Sequence, residues 1–360
     1  MRVLQMTPVL QYGDAVGNDM LALNKLLISE GYETRMYAEC FSQNVGEGFN
    51  VLSADDLPEL DKDDVLIYHL SVGSVLNELL PKLKCRKIAI YHNVTPKEFF
   101  VDYGSLFYNI CNKGINEVKQ LNNVFDYCLA DSEYNRNDLL NFGYNCPIDV
   151  RPILIPFKDY EKTPNQAITQ KYDDGKTNIL FVGRVVPNKK HEDIIAAFSC
   201  YKKYYNPEAR LFLIGSAENM DVYKERLDNY ISKLGVEDVY FTGKIPFDEI
   251  LAYYKVADMF LCMSEHEGFC VPLVEAMYFD VPVIAYSSSA IPYTLAGCGV
   301  LLQEKNPLVT AGVISRVMTD DKQKEEILIN QRKRVSDLSY ENTSKTFLAY
   351  IKNFISGIKR

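Results

Sequence analysis

The chain has 360 residues, a formal net charge of −9 and no tryptophan. Apolar content of 47% and charged content of 24% are those of a folded globular chain, which excludes a disordered or collagen-like protein. No apolar run approaches the length of a membrane span, and Met1-Arg2 leads into the strand-like RVLQMT instead of a signal-peptide core, so the expectation is a cytoplasmic protein of about two domains.

The acidic excess is uneven: residues 1–156 hold 13 Lys and Arg against 21 Asp and Glu, and the remainder holds 26 against 27. Affinity for a phosphate backbone rests on clustered cations, so no nucleic-acid partner is expected. The nine cysteines match no zinc spacing and read as reduced, mostly buried thiols.

Along the chain, Val3–Thr7 reads as a strand, followed by a loop with Gly13 and Gly17 and a helix from Asn18, its N-cap, to Glu30, with Gly31 at C′. Val65–His69, Lys87–His92 and Tyr127–Ala130 are further short apolar runs, as expected of a parallel sheet covered on both faces. The stretch 159–176 is polar and reads as a linker. Beyond it strands and helices alternate, and the first strands end in a small residue: 179–182 before Gly183, 211–214 before Gly215, 239–242 before Gly243, 259–263 before Ser264. Helices are expected at 193–205, 221–234, 247–256 and 272–278, and last strands at 281–286 and 299–302. This is the βα alternation of a doubly wound sheet. The end of the chain, 340–360, carries Phe347, Ile351, Phe354 and Ile358 at helical spacing. Packing on a domain accounts for that face, and Lys352, Lys359 and Arg360 leave contact with a membrane surface open.

Ligands of open α/β sheets bind beyond the carboxyl ends of the strands, so residues that directly follow strands are the candidates. Arg184, with Lys189 and Lys190 just before the next helix, forms an anion site suited to a pyrophosphate, or else a set of ordinary surface cations. Farther on, Pro272 suits the first helical position, which puts Glu275 in the opening turn, where the helix dipole keeps it ionised and able to accept both hydroxyls of a ribose. Glu267 lies in the loop upstream, beside Gly268. The bland alternative makes both glutamates dipole-compensating residues. His92 ends a strand at the active edge and reads as functional; His69, His191 and His266 read as structural.

Glu267 and Glu275 stand seven residues apart in HEGFCVPLVEAM, which resembles the EX7E signature of the retaining glycosyltransferases of family 4. FVGRVVPNKK is similar to that family's GR-x4-K stretch, and YHNVTP, ADSEYNRNDLL, LIGS and FTGKI occur in family order. The resemblance implies the GT-B fold: α/β, two Rossmann-like doubly wound parallel-sheet domains facing each other across a cleft. Residues 1–158 would be the acceptor side, 177–339 the nucleotide-sugar donor side, and 340–360 a helix returning to the first domain. It implies transfer of a sugar from a nucleoside-diphosphate sugar to a glycan or lipid-linked acceptor, as in surface polysaccharide synthesis. GDP-mannose is the first choice of donor, and the membrane's inner face a possible location. No cofactor beyond that co-substrate is implied.

By the same resemblance Arg184 and Lys189 hold the diphosphate, and Glu275 the ribose. Glu267 with the main chain of Gly268, Phe269 and Cys270 holds the sugar or its phosphates, and Lys244 and Ile245 border the base. His92 faces the donor sugar, Gly13 approaches the phosphate, and Asp14 and Asn93 lie on the acceptor side. Glu267, His92, Arg184 and Lys189 form the catalytic set. The chain departs from the family at QYGDAVGN, at IPFKDY and at Tyr293 in AIPYTLAGCG. Asp61-Lys62-Asp63-Asp64 contains DxD but precedes a strand, so it reads as a solvated turn and no catalytic metal is expected. A nucleotide-sugar epimerase and a non-catalytic binding subunit stay open as alternatives.

Overall fold

A computed structural model describes residues 1–11, 13–41 and 48–357. The chain forms two compact units, Met1–Phe157 with Leu338–Arg360, and Lys158–Asp337. The stretch 159–176, expected as a linker, holds a 3-10 turn and the helix Gln166–Tyr172 and lies within the second unit.

The first unit contains β1 (Val3–Leu10), β2 (Met36–Phe41), β3 (Val51–Ser53), β4 (Val65–Leu70), β5 (Arg86–Tyr91), β6 (Tyr127–Ala130) and β7 (Ile148–Val150). They pair in parallel in the order β3-β2-β1-β4-β5-β6-β7. Side chains alternate across a strand, so each strand feeds two cores. Leu4, Met6, Leu66, Tyr68, Ala89 and Tyr91 enter one, while Val3, Val65, Ile67, Ile88 and Ile90 enter the other. Both faces are dry, which is why these strands read as continuous apolar runs.

The second core is closed by the C-terminal helix Tyr340–Ser356, whose Phe347 and Ile351 are fully buried against Val3, Leu23, Ile67 and Leu129. Phe354 stacks on Tyr127 at 5.7 Å, and Lys352 reaches Glu30 at 2.8 Å. The apolar face is therefore occupied within its own unit; Ile358, Lys359 and Arg360 lie outside the described residues. Among the described residues no helix is long and apolar enough to cross a membrane. Phe347→Ala is expected to destabilise this unit by about 3–5 kcal/mol, the usual range for an emptied aromatic site, and urea unfolding of the whole chain checks it.

The second unit contains β8 (Asn178–Val182), β9 (Arg210–Ile214), β10 (Val239–Gly243), β11 (Met259–Cys262), β12 (Val283–Tyr286) and β13 (Val300–Leu302), all parallel in the order β10-β9-β8-β11-β12-β13. The small residues after its strands have a steric cause at Gly215. Its φ is +149°, and a β-carbon there would lie 2.1 Å from the carbonyl oxygen of Gly183, so the turns after β8 and β9 approach as only glycine allows.

In each sheet the chain leaves its first strand toward one edge and later returns on the other side, so β1 lies beside β4 and β8 beside β11. Such reversals open a crevice beyond the strands' carboxyl ends.

Candidate functional site

At the reversal of the second sheet the loops after β8 and β11 meet. The 3-10 turn Pro187–Lys189 is followed by Lys190 in the left-handed region (φ 51°), which turns the chain into the helix His191–Tyr204. Lys189 Nζ thereby lies 2.5 Å from Glu267 Oε2, with the two side chains 20% and 7% exposed. Burial disfavours the ammonium, and the Glu267 carboxylate outweighs it, so the lysine pKa lies above its usual range. Glu267 Oε1 is buried and accepts no hydrogen bond among the described residues.

The loop carrying Glu267 is fastened on several sides. Glu267 N donates to Ser289 Oγ at 2.8 Å, Ser288 Oγ donates to the Ser264 carbonyl at 2.6 Å, Asn188 Nδ2 donates to the His266 carbonyl at 3.0 Å, and Thr294 Oγ1 donates to the Phe269 carbonyl. Lys305 bridges Glu265 and Asp193 at 2.9 and 2.7 Å. Sequence reading passed over these supports, because polar residues in loops carry no periodic signal.

Glu275 departs from expectation. The helix runs Val271–Tyr278, so Pro272 is its second residue and Glu275 its fifth, past the opening turn. Burial, not the helix dipole, dominates and raises its pKa. Two tyrosines work against that rise: Tyr160 Oη donates to Oε1 at 3.0 Å and Tyr254 Oη to Oε2 at 2.7 Å. Tyr160 lies in the IPFKDY departure and packs against Tyr278 and Phe279. Each carboxylate oxygen keeps acceptor capacity for one more hydroxyl. The Tyr254 bond stabilises the ionised carboxylate, so Tyr254→Phe should raise this pKa further. A ligand that needs the ionised form should then be lost at correspondingly higher pH as pH falls. Nucleoside-diphosphate affinity measured against pH tests this, and an unmoved acid limb would show that Tyr254 does not act through Glu275.

The other expected donor-side residues follow strand ends. Arg184 is exposed after β8, and Lys244 and Ile245 follow the edge strand β10. Gly268 is half-buried, Phe269 and Cys270 are buried, and Cys270 has φ +71°. Burial pushes the pKa of His266 down to about 4 and that of His191 to about 3. Tyr293 is largely exposed, and its carbonyl accepts from Arg334 at 3.1 Å.

In the first unit, buried polar side chains collect beyond β1, β4, β5 and β6. Arg151, fully buried, holds both oxygens of Asp19 at 2.9 and 2.6 Å and lies 3.6 Å from Asp131. His92 Nδ1 is 2.7 Å from Asp131, and His92 Nε2 is 2.9 Å from Nδ1 of His69, whose Nε2 lies 3.0 Å from Gln5 Oε1. Gln5 Nε2 donates to the Met20 carbonyl, which leaves Oε1 to accept. His69 therefore donates from Nε2 and accepts at Nδ1, and His92 must donate from Nε2. Burial opposes a charged His92, but Asp131 outweighs it and holds the imidazole pKa above its usual range. Both ring nitrogens of His92 are engaged inside the unit and its side chain is 2% exposed, so the contact to a donor sugar expected of it would require one of these two bonds to open. His69, which sequence reading set aside, is its partner.

Asp14 is the N-cap of the helix Ala15–Ser29, accepting from Gly17 N at 2.6 Å, so this helix starts before Asn18 and the carboxylate is engaged by its own helix. Gly13 has φ +94°, and a β-carbon on Gly17 would lie 2.1 Å from the Gln11 carbonyl oxygen. Asn93 (φ 77°) donates to Asn135 at 2.8 Å and to Asp138 at 3.0 Å; burial raises Asp138 to about 6. In the Asp61–Asp64 turn, Asp61 and Asp63 are exposed, whereas Asp64 is buried and bound to Arg2 at 2.5 Å.

Residues 163–334 match a family model described as glycosyl transferases group 1. The chain is similar to the mannosylfructose-phosphate synthase of Agrobacterium fabrum, 34% identical over 33% of this chain and 27% of that protein. It is also similar to O-antigen chain mannosyltransferase B of Escherichia coli, 24% identical over 62% and 59%. Each match thus spans less than two thirds of the relative. Among solved structures, Anabaena HepE in complex with UDP and glucose superposes with a TM-score of 0.76 at 15% identity, covering 98% of this chain and all of that one. That likeness shows a shared two-domain α/β fold of the GT-B type.

Proposed function

We propose that this chain transfers a sugar from a nucleoside-diphosphate sugar to an acceptor hydroxyl, with retention and without a catalytic metal; the match of residues 163–334 to the group 1 glycosyl transferases supports the sugar transfer. The observation that carries the reading is the meeting of Lys189 and Glu267 at the reversal of the second sheet. A part-buried cation beside the start of a helix, with Arg184 earlier in the same loop after β8, suits a departing diphosphate. Glu275, its two tyrosine bonds leaving acceptor capacity, suits ribose hydroxyls. The unpartnered Oε1 of Glu267 suits a sugar hydroxyl, together with the main chain of Gly268, Phe269 and Cys270. Lys244 and Ile245 would border the base.

In this reading the leaving phosphate takes the proton of the attacking hydroxyl. Glu267 is held by Lys189 and serves as an acceptor of hydrogen bonds, not as a nucleophile. The first unit supplies the acceptor side through the loops of Asp14 and Asn93, while Gly13 approaches the donor phosphate and His92 is a buried support for the end of β5. A mannosyl donor is the first to try, since several relatives are named mannosyltransferases. A glycan or its lipid-linked precursor would be the acceptor.

Thermal melting with GDP, UDP and dTDP, each with and without its sugar, tests the reading. A ligand at about 100 times its Kd adds about 2.7 kcal/mol to stability. One nucleotide series is expected to raise the midpoint in wild type and not in Arg184→Ala or Glu275→Ala. An equal shift in both variants, or none in wild type at millimolar ligand, would sink the proposal.

A further inference from the structure

The loop that carries Glu267 also holds two cysteines, and the ligand atoms of Cys262, Glu267 and Cys270 all lie within 4.8 Å of one another. Cys262 ends β11 and is fully buried, Cys270 is 7% exposed, and Glu267 is 7% exposed with one carboxylate oxygen unpartnered. Cys270 occupies the left-handed region just before a helix, where glycine would be free of strain. A side chain is thus present at a backbone position that penalises it.

We propose that Cys262, Cys270 and Glu267 form a binding site for a thiophilic divalent cation of the zinc class. Two thiolates and a carboxylate are a soft three-ligand set, and a tetrahedral ion would keep its fourth position for a solvent or substrate oxygen. The charges balance. Without metal, two neutral thiols and the Lys189–Glu267 pair sum to zero. On binding, each thiol releases its proton to solvent, two thiolates, one carboxylate and the dication sum to −1, and the ammonium of Lys189 at 2.5 Å from Glu267 cancels it. No charge is left uncompensated in the buried site. The second close thiol pair, Cys128 and Cys146 at 3.5 Å, has no third ligand of this kind among the described residues.

Binding does not depend on the proposed sugar transfer, but its consequence does. An ion there takes Glu267 and Cys270 from the donor loop, so the metal-loaded form is the inactive one.

Cobalt titration of the purified full chain is the test, because the near-ultraviolet sulfur-to-cobalt band reports the number of thiolates. Wild type is expected to bind one ion with two thiolates, to release two protons and to give the ion up to zinc. Cys270→Gly, which relieves the backbone, should fold normally and show one thiolate. Glu267→Gln should keep both thiolates and bind more weakly by at least the roughly 10–100-fold that outer partners of a metal are worth. A two-thiolate band that survives in Cys270→Gly, or that disappears in a Cys128→Ser, Cys146→Ser variant instead, would overturn the assignment, as would failure of wild type to bind. Zinc inhibition of turnover reversed by a chelator is expected in wild type and absent in Cys262→Ala, which removes one thiolate outside the donor contacts. If the band behaves as expected and no turnover is found, the site stands and the sugar-transfer reading falls.

Discussion

Arg151→Met is expected to cost about 3–5 kcal/mol, the range for removing one partner of a buried ion pair. The guanidinium is the central cation of a cluster with Asp19 and Asp131, fully buried under the ring of Phe347 at 5.8 Å. Without it Asp19 keeps only its bond from Leu154 N at 2.8 Å, and Asp131 relies on His92 alone among these cations. In a domain of this size the loss corresponds to a fall in melting temperature of roughly 6–20 °C, which calorimetry of the whole chain would register. Asp19→Asn in the same background should recover part of it, because the carboxylate no longer needs a counter-charge. A fall below about 2 °C would show that solvent reaches the cluster.

Lys189→Ala is expected to lower turnover by about 10²–10³-fold, the usual effect of removing one preorganised group that meets developing charge. The variant also leaves Glu267 buried without its cation, so stability should fall as well, by about 2–3 kcal/mol given that Lys189 is 20% exposed. The double variant Lys189→Met, Glu267→Gln separates the two effects. Its stability should recover, since no buried charge is left alone, while its turnover should not. Recovery of turnover along with stability would mean that the pair only supports the loop and does not meet the diphosphate.

Much of the fold could be read from the sequence, because a parallel sheet buried on both faces writes each central strand as an apolar run. Val65–Leu70 and Tyr127–Ala130 are visible for that reason, and the glycine after β9 is visible because the Gly183 carbonyl leaves no room for a β-carbon. The strands β3 and β7 have three residues each and lie at the sheet edges, too short to carry a period of two. The site was legible as separate loops, not as contacts. Lys189 and Glu267 are 78 positions apart, and only the reversal of strand order brings them together. Tyr254 sits on the helix Phe247–Val256 at a spacing that any core residue could have, so its bond to Glu275 has no trace in the pattern. The same holds for His69, whose role depends on a neighbour from the next strand.

The first unit is discontinuous in the chain, and that governs how it is made. Residues 158–337 separate Phe157 from the helix bearing Phe347 and Ile351. At about 5–20 residues per second, a ribosome spends roughly 10–40 s on that insert. Throughout it Val3, Leu23, Ile67 and Leu129 wait without the helix that covers them in the finished molecule. The nascent sheet therefore presents an uncovered greasy face to the cell, a target for holding chaperones, and a message cut short within the second unit would yield a first half that cannot close.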